Sequence, residues 1–359
     1  TYVPYIKSAG ELKTKPSQHS AYKLREIGIQ PDVLLCRSEK PFEEEIYSKI
    51  ALFTNVKREN VINAIDVDCV YEIPLNFQKA KLPEIICQHF KLEQRPIVMN
   101  EWLHFLHNRE NAEEVVTIAV CGKYVQHQDA YKSIGEALIH AGASLMKRVK
   151  IIWIDSEHNF LEEEIATMLN GVQGILVPGG FGVRGIEGKI VFTKYARENN
   201  IPYLGICLGM HVAVIECARD LCNLVDANST EFNEETLAPV IHLIKDQVYQ
   251  KRIGGSMRLG AYDCHLDKGS KAYQAYQTET ISERHRHRYE FNNDYREIIQ
   301  KAGLKISGLS PDNYLVEIVE YPDLDFFIAV QFHPEFKSRP TNPHPLFREF
   351  IKAASLKKP

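Results

Sequence analysis

Short apolar runs alternate with stretches of helical periodicity along most of the chain. In the first hundred residues, runs rich in β-branched side chains predict strands and amphipathic stretches between them predict helices. Alternation of this kind favours parallel sheets flanked by helices. The predicted strands are Val3–Ile6, Asp32–Cys36, Val61–Ile65 and Val70–Ile73, and the predicted helices lie around Ser20–Ile27 and Glu43–Leu52.

A second pattern of the same kind follows a polar segment, residues 101–114, which has no strand character and is predicted to be a linker. We therefore predict an α/β protein of two domains, residues 1–100 and 115–359, the second with a doubly wound sheet. Its predicted elements are the strands Val115–Gly122, Val149–Ile154, Gly174–Val177, Ile201–Ile206, Leu315–Val319 and Phe326–Gln331, and a helix at Ala130–Ala141.

Composition narrows the classes of partner. With 359 residues and 44% hydrophobic side chains, the chain can form two cores. A formal net charge of -4 gives no bulk attraction to nucleic acid or anionic membranes, and no apolar run is long enough to predict a membrane span. The eight cysteines form no C-x-x-C pair, and several lie in apolar runs, as Cys36 does. That usage is typical of reduced thiols and predicts a cytoplasmic protein.

The cysteine most suited to chemistry is Cys207, in the sequence Gly205-Ile206-Cys207-Leu208-Gly209 between a predicted strand and a helical stretch. This is the cysteine version of a nucleophile elbow, whose glycines accommodate crowding and unusual backbone angles. A thiol at a helix N-terminus is favoured as thiolate. A buried structural cysteine is the alternative, and it is the better interpretation for the other seven.

A cysteine nucleophile needs a base, and the base needs an orienting acid. His333 and Glu335 follow a predicted strand, with Pro334 between them. Because residues two apart on an extended chain face the same side, Glu335 can hold the imidazole of His333 toward the thiol. A histidine taken alone is more often a surface or core residue.

A glycine-rich loop follows a third predicted strand, at Pro178-Gly179-Gly180-Phe181-Gly182. Such a loop can cradle a phosphate or simply form a tight turn. With a thiol nucleophile elsewhere in the chain, we favour an oxyanion hole formed by the backbone N–H groups of Gly180 and Leu208.

These three motifs together resemble the class I glutamine amidotransferases, which hydrolyse glutamine through a glutamyl thioester and release ammonia. Further segments are similar to the CTP synthase family in particular: Ala227–Phe232, Gly254–Gly260 and Glu283–Glu290. The similarity extends over essentially the whole chain. It implies that residues 1–100 are the C-terminal portion of a P-loop-type amidoligase domain, and that residues 115–359 form a complete, flavodoxin-like amidotransferase domain.

The resemblance also implies a set of residues for the L-glutamine substrate. Glu231 and Arg288 suit the chemistry, since an amino acid needs an anion for its ammonium and a cation for its carboxylate. The family usually has Gln at the position of His211. A solvated basic loop or a nucleic-acid patch is the alternative interpretation of the segment around Arg288. The implied glutamine-binding residues are Gly180, Leu208, Gly209, Met210, His211, Glu231 and Arg288.

Two further groups resemble the family's nucleotide sites. Lysines followed by hydroxyl and amide side chains near a helix start suit a polyphosphate, although a Lys-Thr-Lys loop is more often only solvated. Ile65-Asp66-Val67 falls where the family usually has Lys-Asp-Val. The implied UTP/CTP-binding residues are Lys13, Thr14, Lys15, Pro16, Ser17, Gln18 and Lys49, and the implied ATP-binding residues are Ile65, Asp66 and Val67.

ATP-dependent synthesis requires a phosphate-binding loop and Mg²⁺ carboxylates, and no G-x-x-x-x-G-K-[ST] motif occurs in this sequence. The resemblance implies that the full-length enzyme uses ATP and Mg²⁺ with ligands outside this chain, and that the amidotransferase domain needs no cofactor. Because the sequence starts at Thr1 without a Met or a signal-peptide pattern, we expect a chain cut part-way through a domain. We also expect these 359 residues to make no CTP by themselves.

As a member of that family, the protein would aminate UTP to CTP, with CTP as inhibitor, GTP as activator and a homotetrameric assembly. Two alternatives stay open. One is another triad amidotransferase, serving GMP or carbamoyl phosphate synthesis, although the first hundred residues match neither acceptor domain. The other is a non-catalytic nucleotide sensor or filament scaffold, against which the intact Cys207, His333 and Glu335 argue.

Overall fold

The structure is a computed structural model that describes residues 1–123, 128–158, 160, 162–243 and 257–358. It divides the chain into two compact units, Thr1–Met99 and Asn100–Pro359. Both units mix helices and strands, as predicted. Within the described ranges, no helix combines the length and apolar character that a membrane crossing requires.

The first unit has a small core between one helix and a pair of parallel strands, which run in register from Leu34–Val61 to Ser38–Ile65. Its strands are β1 (Tyr5–Ile6), β2 (Glu11–Leu12), β3 (Leu34–Ser38) and β4 (Val61–Ile65). Its helices are α1 (Lys15–Glu26), α2 (Glu44–Thr54), α3 (Ile73–Lys79) and α4 (Leu82–His89). The core side chains are Val3, Leu34, Cys36, Ile50, Val56 and Val61.

The predicted strand at Val70–Ile73 is wrong. Val70–Glu72 form a turn of 3-10 helix, and Ile73 begins α3. Pro74 lies in the first turn of α3, where its fixed φ and missing N–H suit a helix start. The apolar run at Val70–Ile73 predicts a strand when it is taken alone, but Pro74 favours the start of a helix at this point.

Residues 101–114, predicted as a linker, are mostly helical instead. Helix α5 spans Asn100–Glu110 and belongs to the second unit. The side chain of Phe105 is only 4% exposed, and its ring lies 5.9 Å from that of His140. Burial of an aromatic side chain stabilises the packed helix by about 2 kcal/mol, so this segment docks on the second unit despite its polar composition.

The second unit is larger, and its elements follow one another in the alternating order that the sequence predicts. After α5 its strands are β5 (Glu114–Gly122), β6 (Lys147–Asp155), β7 (Gly174–Val177), β8 (Tyr203–Ile206), β9 (Ala227–Ser229), β10 (Ala238–Leu243), β11 (Arg258–Leu266), β12 (Thr280–His287), β13 (Tyr289–Phe291), β14 (Lys305–Leu309), β15 (Val316–Glu320) and β16 (Phe327–Val330). Its further helices are α6 (Lys132–Ser144), α7 (Glu162–Met168), α8 (Ile186–Glu198), α9 (Leu208–Asp220), α10 (Lys271–Tyr276), α11 (Arg296–Lys301) and α12 (Pro345–Ser355).

In the described part of this unit, nine strands form one mixed sheet in the order β12-β11-β14-β15-β16-β8-β7-β5-β6. The half from β16 to β6 is parallel, and the half from β12 to β16 is antiparallel. A separate, smaller sheet has the strand order β13-β10-β9. The sequence pattern predicted one doubly wound sheet and did not indicate that half of its strands would be antiparallel.

Helices cover both faces of the parallel half, which confirms the predicted α/β class. Along β5 the side chains alternate between two cores: Ile118 and Val120 belong to one, Ala119 and Cys121 to the other. Helices α8 and α9 pack on the side of Ala119 and Cys121, and α6 and α12 pack on the side of Ile118 and Val120. Strands buried on both faces explain the continuous apolar runs in the sequence.

The chain passes from β8 into α9 through a single residue, Cys207, whose φ is 52° and ψ is -100°. A Cβ atom on Gly209 would lie 2.3 Å from the carbonyl oxygen of Val177, and one on Gly205 would lie 2.8 Å from the carbonyl oxygen of Gly209. The unusual backbone angles therefore fall on the cysteine itself. The two glycines are required because strand and helix backbones approach closely.

This packing predicts opposite effects for two Gly→Ala changes in helices. Gly209→Ala should destabilise the second unit by about 1–3 kcal/mol, because the new methyl group overlaps the backbone of β7. Gly135→Ala in α6 is the matched control, since its Cβ atom would have only Ile151 Cδ1 within reach, at 3.8 Å. It should stabilise the helix by about 0.5–1 kcal/mol. Urea unfolding of both variants measures the difference, and equal effects would contradict the packing.

Candidate active site

Two neighbouring strands bring the predicted nucleophile and base together. Strands β8 and β16 are parallel and pair from Tyr203–Phe327 to Ile206–Val330. Cys207 follows β8 directly, and its N–H donates a hydrogen bond of 2.7 Å to the carbonyl oxygen of Val330. Because the carboxyl ends of parallel strands meet at one edge of the sheet, the residues after β16 lie beside Cys207.

His333 and Glu335 occupy that position. Nδ1 of His333 lies 2.8 Å from Oε1 of Glu335, and both side chains are largely buried. The loop after β7 packs against both side chains: a Cβ atom on Gly179 would lie 2.9 Å from Cε1 of His333 and 3.5 Å from Cβ of Cys207. With Nδ1 on the carboxylate, Nε2 is the nitrogen left for the sulfur and the substrate.

Charge controls the protonation of this histidine. Burial by itself would lower the pKa of His333, but interactions with the sulfur of Cys207 and the carboxylate of Glu335 raise it to about 10. The imidazole therefore carries two protons at neutral pH and can stabilise a thiolate at Cys207. A thiolate–imidazolium pair of this kind is the resting form of an activated cysteine nucleophile.

The first turn of α9 provides backbone donors beside the sulfur. The N–H groups of Met210 and His211 already donate to the carbonyl oxygen of Cys207, at 3.0 and 3.3 Å. Helix geometry provides no acceptor for the N–H groups of Leu208 and Gly209. Those two groups are the ones available to an anionic oxygen at this helix start.

Cys207 opens into a cavity of about 400 Å³, within the range typical of small-molecule sites. Five of the residues predicted to bind glutamine line this cavity, although they come from separate segments of the chain. Four others were not predicted. The lining residues are Gly180, Phe181, Cys207, Leu208, His211, Glu231, Met257, Arg286, Arg288 and Tyr289.

The cavity carries both signs of charge. Oε1 of Glu231 accepts a hydrogen bond of 2.8 Å from the N–H of Gly182. Burial raises the pKa of Glu231, while that hydrogen bond and the cations Lys123, Arg288 and Lys189 oppose the rise. Arg288 is exposed to the cavity. An acid and a cation facing one space suit a zwitterion.

A buried lysine lies behind the glycine loop. The side chain of Lys189 is fully buried on α8, and its Nζ would lie 3.7 Å from a Cβ atom on Gly180. Burial and the neighbouring Lys123 lower the pKa of Lys189 to about 8. Its positive charge, close to Gly180, favours negative charge in this part of the site.

A chain of two buried side chains, His211 and Gln331, leads to the sulfur of Cys207. Nε2 of His211 lies 2.8 Å from Oε1 of Gln331, whose Nε2 lies 4.0 Å from Sγ of Cys207. Burial lowers the pKa of His211 to about 4, so this imidazole is neutral at neutral pH. His211 is therefore linked to the cysteine through the amide side chain of Gln331.

Two predicted glutamine residues do not face the cavity with their side chains. Gly209 has none and packs against β7, and the side chain of Met210 is fully buried in the core. Their part in the site is limited to the backbone. Gly254-Gly255-Ser256, quoted for the resemblance, lies outside the described residues.

In the first unit, the predicted UTP/CTP residues gather at the start of α1. Helix α1 begins at Lys15, with Pro16 in its first turn. Ser17 is fully buried and its hydroxyl donates to the carbonyl oxygen of Tyr2, at 2.8 Å, whereas Gln18 donates to Oγ1 of Thr14, at 3.0 Å. The hydroxyl of Ser17 therefore has a structural partner.

Two of the three lysines of this group share one acidic neighbour, Glu11. Lys13 forms an ion pair with Glu11. The hydrogen bond and charge of Lys13, together with the charge of Lys49 on α2, lower the pKa of Glu11. Lys13 and Lys49 therefore lie close enough to Glu11 to act on the same carboxylate.

The predicted ATP residues lie at the end of β4 in a second cavity, of about 380 Å³. Oδ1 of Asp66 accepts a hydrogen bond of 2.7 Å from Nε of Arg37. The remaining walls are mostly apolar, which suits a flat ring. The lining residues are Arg37, Ala64, Ile65, Asp66, Val67, Val70, Ile73, Asn76 and Phe77. Within the described ranges, no group of His, Cys, Asp or Glu side chains has an arrangement that could hold a metal ion.

Sequence reasoning missed Gln331, Phe181, Met257, Arg286 and Tyr289. Two of them carried a usable signal. Gln331 is two residues before His333, and Arg286 is two before Arg288, so period-two alternation places each on the same side as its predicted neighbour. The other three, Phe181, Met257 and Tyr289, lie inside segments that the sequence analysis singles out, but no alternation distinguishes them from their neighbours.

The raised pKa of His333 gives a direct prediction. Cys207→Ala and Glu335→Gln each remove a neighbour that raises the pKa of His333, so each should lower that pKa from about 10. The double variant leaves burial as the main influence, and the pKa should then fall below the ordinary value of about 6.5. NMR titration of ¹³C-labelled histidine measures these values. A pKa of His333 that is the same in all four proteins would contradict the ion pair.

Comparison with known proteins covers both units. The family model for class I glutamine amidotransferases matches residues 126–353, and the model for the CTP synthase N-terminus matches residues 1–92. The glutaminase domain of Trypanosoma brucei CTPS with bound acivicin is 43% identical, with a TM-score of 0.63 over 68% of this chain and 95% of that one. The second unit thus has a solved relative.

Full-length relatives extend the match. A CTP synthase of Caldanaerobacter subterraneus is 52% identical over 98% of this chain, and one of Bacillus subtilis is 51% identical over 99% of it. The chain spans 66% of the length of each of these relatives. With two family models matched in order and about half of all residues identical, the chain belongs to the CTP synthase family.

Proposed function

We propose that the second unit hydrolyses L-glutamine through a glutamyl thioester on Cys207 and releases ammonia. One observation carries this proposal: the sulfur of Cys207 lies beside His333 and opens into a cavity that also holds Glu231 and Arg288. A nucleophile, a base and two opposite charges around one space of about 400 Å³ suit a small zwitterionic amide.

Binding uses the two charges of the cavity. Glu231 would bind the α-ammonium group of glutamine and Arg288 its α-carboxylate. His211, Leu208 and Gly180 line the part of the cavity near the sulfur, where the side-chain amide would lie. Gly209 and Met210 contribute backbone only. Charge-assisted hydrogen bonds of this kind fix the orientation of the substrate as well as its affinity.

The reaction follows from the thiolate–imidazolium pair. The thiolate of Cys207 attacks the carboxamide carbon, and the resulting oxyanion accepts hydrogen bonds from the N–H groups of Gly180 and Leu208. His333 gives its Nε2 proton to the leaving nitrogen, and ammonia departs to leave the thioester. Neutral His333 then takes a proton from water, whose oxygen attacks the thioester carbon. Glutamate leaves, and the thiolate and imidazolium are restored.

For the whole enzyme we propose the ATP-dependent amination of UTP to CTP by this ammonia. The support is family membership together with the two nucleotide-binding regions of the first unit. Lys13, Lys15 and Lys49 would hold the triphosphate of UTP or CTP near the start of α1. Thr14, Pro16, Ser17 and Gln18 shape that segment, and the cavity at Ile65-Asp66-Val67 would take the base of ATP.

Regulation and assembly are proposed on the same footing. Membership of the family supports inhibition by CTP, activation by GTP and a homotetramer. All eight cysteines are unpaired thiols, which favours a reducing compartment, and we propose the cytoplasm.

Selective labelling tests the proposed nucleophile. A diazo-ketone analogue of glutamine should modify the protein once, at Cys207, and abolish glutamine hydrolysis in proportion. Cys207→Ala should remove both the labelling and the hydrolysis, since no other thiol has the elbow geometry. Cys222→Ala is the matched control, because Cys222 lies just after the same helix and should leave both unchanged. Peptide mass spectrometry locates the adduct, and an adduct at Cys217 or Cys222 would refute the assignment.

A further inference from the structure

Five charged or titratable side chains lie buried together behind the glutamine cavity, and none of them lines it. Each is at most 2% exposed. The proposed reaction uses none of them. They are Arg258, His285, His287, Glu290 and Glu317.

Glu290 is the centre of this buried charge cluster. Its Oε1 lies 2.7 Å from Nε2 of His287 and 3.2 Å from Nη1 of Arg258. Nη2 of Arg258 reaches Oε1 of Glu317 at 2.8 Å, and Nδ1 of His285 lies 3.7 Å from Oε2 of Glu317. One guanidinium thus bridges two carboxylates, and one carboxylate bridges the guanidinium and an imidazole.

The cluster spans a junction in the chain. Strand β12 ends at His287 and belongs to the large sheet, whereas β13 begins at Tyr289 and belongs to the small one. Arg288 is the single residue between them. The hydrogen bond between His287 and Glu290 joins the residues on either side of this junction. Arg258 on β11 pairs with His287 in the sheet and donates a hydrogen bond to the same carboxylate.

Members of the cluster are also sequence neighbours of cavity residues. Met257 precedes Arg258, and Arg288 and Tyr289 lie between His287 and Glu290. Adjacent residues on one extended segment face opposite sides, so Met257 faces the cavity when Arg258 is buried, and Arg288 faces it when His287 is buried. The contacts that hold Arg258 and His287 in the buried cluster therefore also fix the direction of Met257 and Arg288 toward the cavity.

Such a cluster is a costly way to stabilise a fold. Removing several charged groups from water carries a desolvation penalty that well-packed apolar side chains would avoid. Buried charges are best suited to fixing one geometry among alternatives, because each hydrogen bond has a direction. Here the geometry that they fix is the position of β13, in the small sheet, relative to β11 and β12 in the large sheet.

We infer that Glu290 is a positioning residue that holds Arg288 toward the substrate by locking the β12–β13 junction to Arg258 and His287. The inference rests on the proposed glutaminase function and deepens it. Glu290 itself does not touch the substrate. It acts through Arg288, so its effect should appear in the binding of glutamine and should vanish when Arg288 is removed.

Glu290→Gln is a variant that should still fold. Burial and repulsion by Glu290, opposed by Arg258, raise the pKa of Glu317 to about 7. Loss of the charge on Glu290 removes that repulsion, so Glu317 ionises more readily and balances Arg258 alone. The cluster keeps one cation and one anion, while the amide loses the two charge-assisted hydrogen bonds that close the junction.

The test is a double-mutant cycle of Glu290→Gln and Arg288→Met, read by steady-state glutamine hydrolysis. Arg288→Met should lower kcat/KM by roughly a hundredfold, since it removes the cation for the carboxylate. Glu290→Gln should raise KM by roughly tenfold with little change in kcat. The double variant should be no worse than Arg288→Met within about twofold, because residues that act through one another are not additive.

Controls separate positioning from stability. Glu320→Gln changes another fully buried glutamate of the same sheet, one that accepts N–H groups of Lys271 and Ala272 at 2.9 and 3.2 Å. It should lower the unfolding temperature but leave the KM for glutamine unchanged. Alkylation of Cys207 by iodoacetamide should proceed at the wild-type rate in Glu290→Gln. If that variant does not fold, His287→Gln tests the same junction and should show a smaller rise in KM.

Additive effects in the cycle, or an unchanged KM in Glu290→Gln, would overturn the inference. Absence of glutamine hydrolysis in the wild-type protein would instead refute the proposed function. In that case the cycle is read by the half-saturating concentration of the diazo-ketone glutamine analogue, which carries the same α-carboxylate. The inference is supported if Glu290→Gln raises that concentration in the otherwise wild-type protein but not in the Arg288→Met variant. It is overturned if Glu290→Gln has the same effect in both proteins.

Discussion

The pairing of β8 with β16 is the constraint on which the site depends. Because these strands are parallel and in register, their carboxyl ends deliver Cys207 and the segment to His333 to the same edge of the sheet. The loop after β7 completes the arrangement, since Gly179 lies against both residues. A shift of the register by one residue would turn the side chains to the other face and separate the base from the nucleophile.

Electrostatics then selects the reactive form. The sulfur and the carboxylate of Glu335 hold the proton on His333, and the buried lysine behind Gly180 adds positive potential to the same region. The site therefore keeps separated charges in a partly buried space, where they interact more strongly than in water. The cluster around Glu290 has the same character, but its role is geometric: it ties the small sheet to the large one beside the cavity.

Local motifs and periodicity were sufficient to predict the α/β class, the elbow at Cys207 and the pairing of His333 with Glu335, because each depends on neighbours in the sequence. Val70–Ile73 was misread since Pro74 starts a helix there, and residues 101–114 were misread since the burial of Phe105 is a tertiary effect. The links from His211 to Gln331 and from Arg258 to Glu290 join distant parts of the chain. No pattern within one segment could predict them.

The central claim is that glutamine is cleaved through a covalent intermediate on Cys207. Rapid mixing of the protein with L-glutamine, acid quenching and mass spectrometry of the digested peptides measures this directly. The mechanism predicts one γ-glutamyl group bound through a thioester to the peptide that contains Cys207, formed as fast as ammonia is released or faster. Ammonia release at the normal rate without that adduct, or with an adduct on another residue, would contradict it.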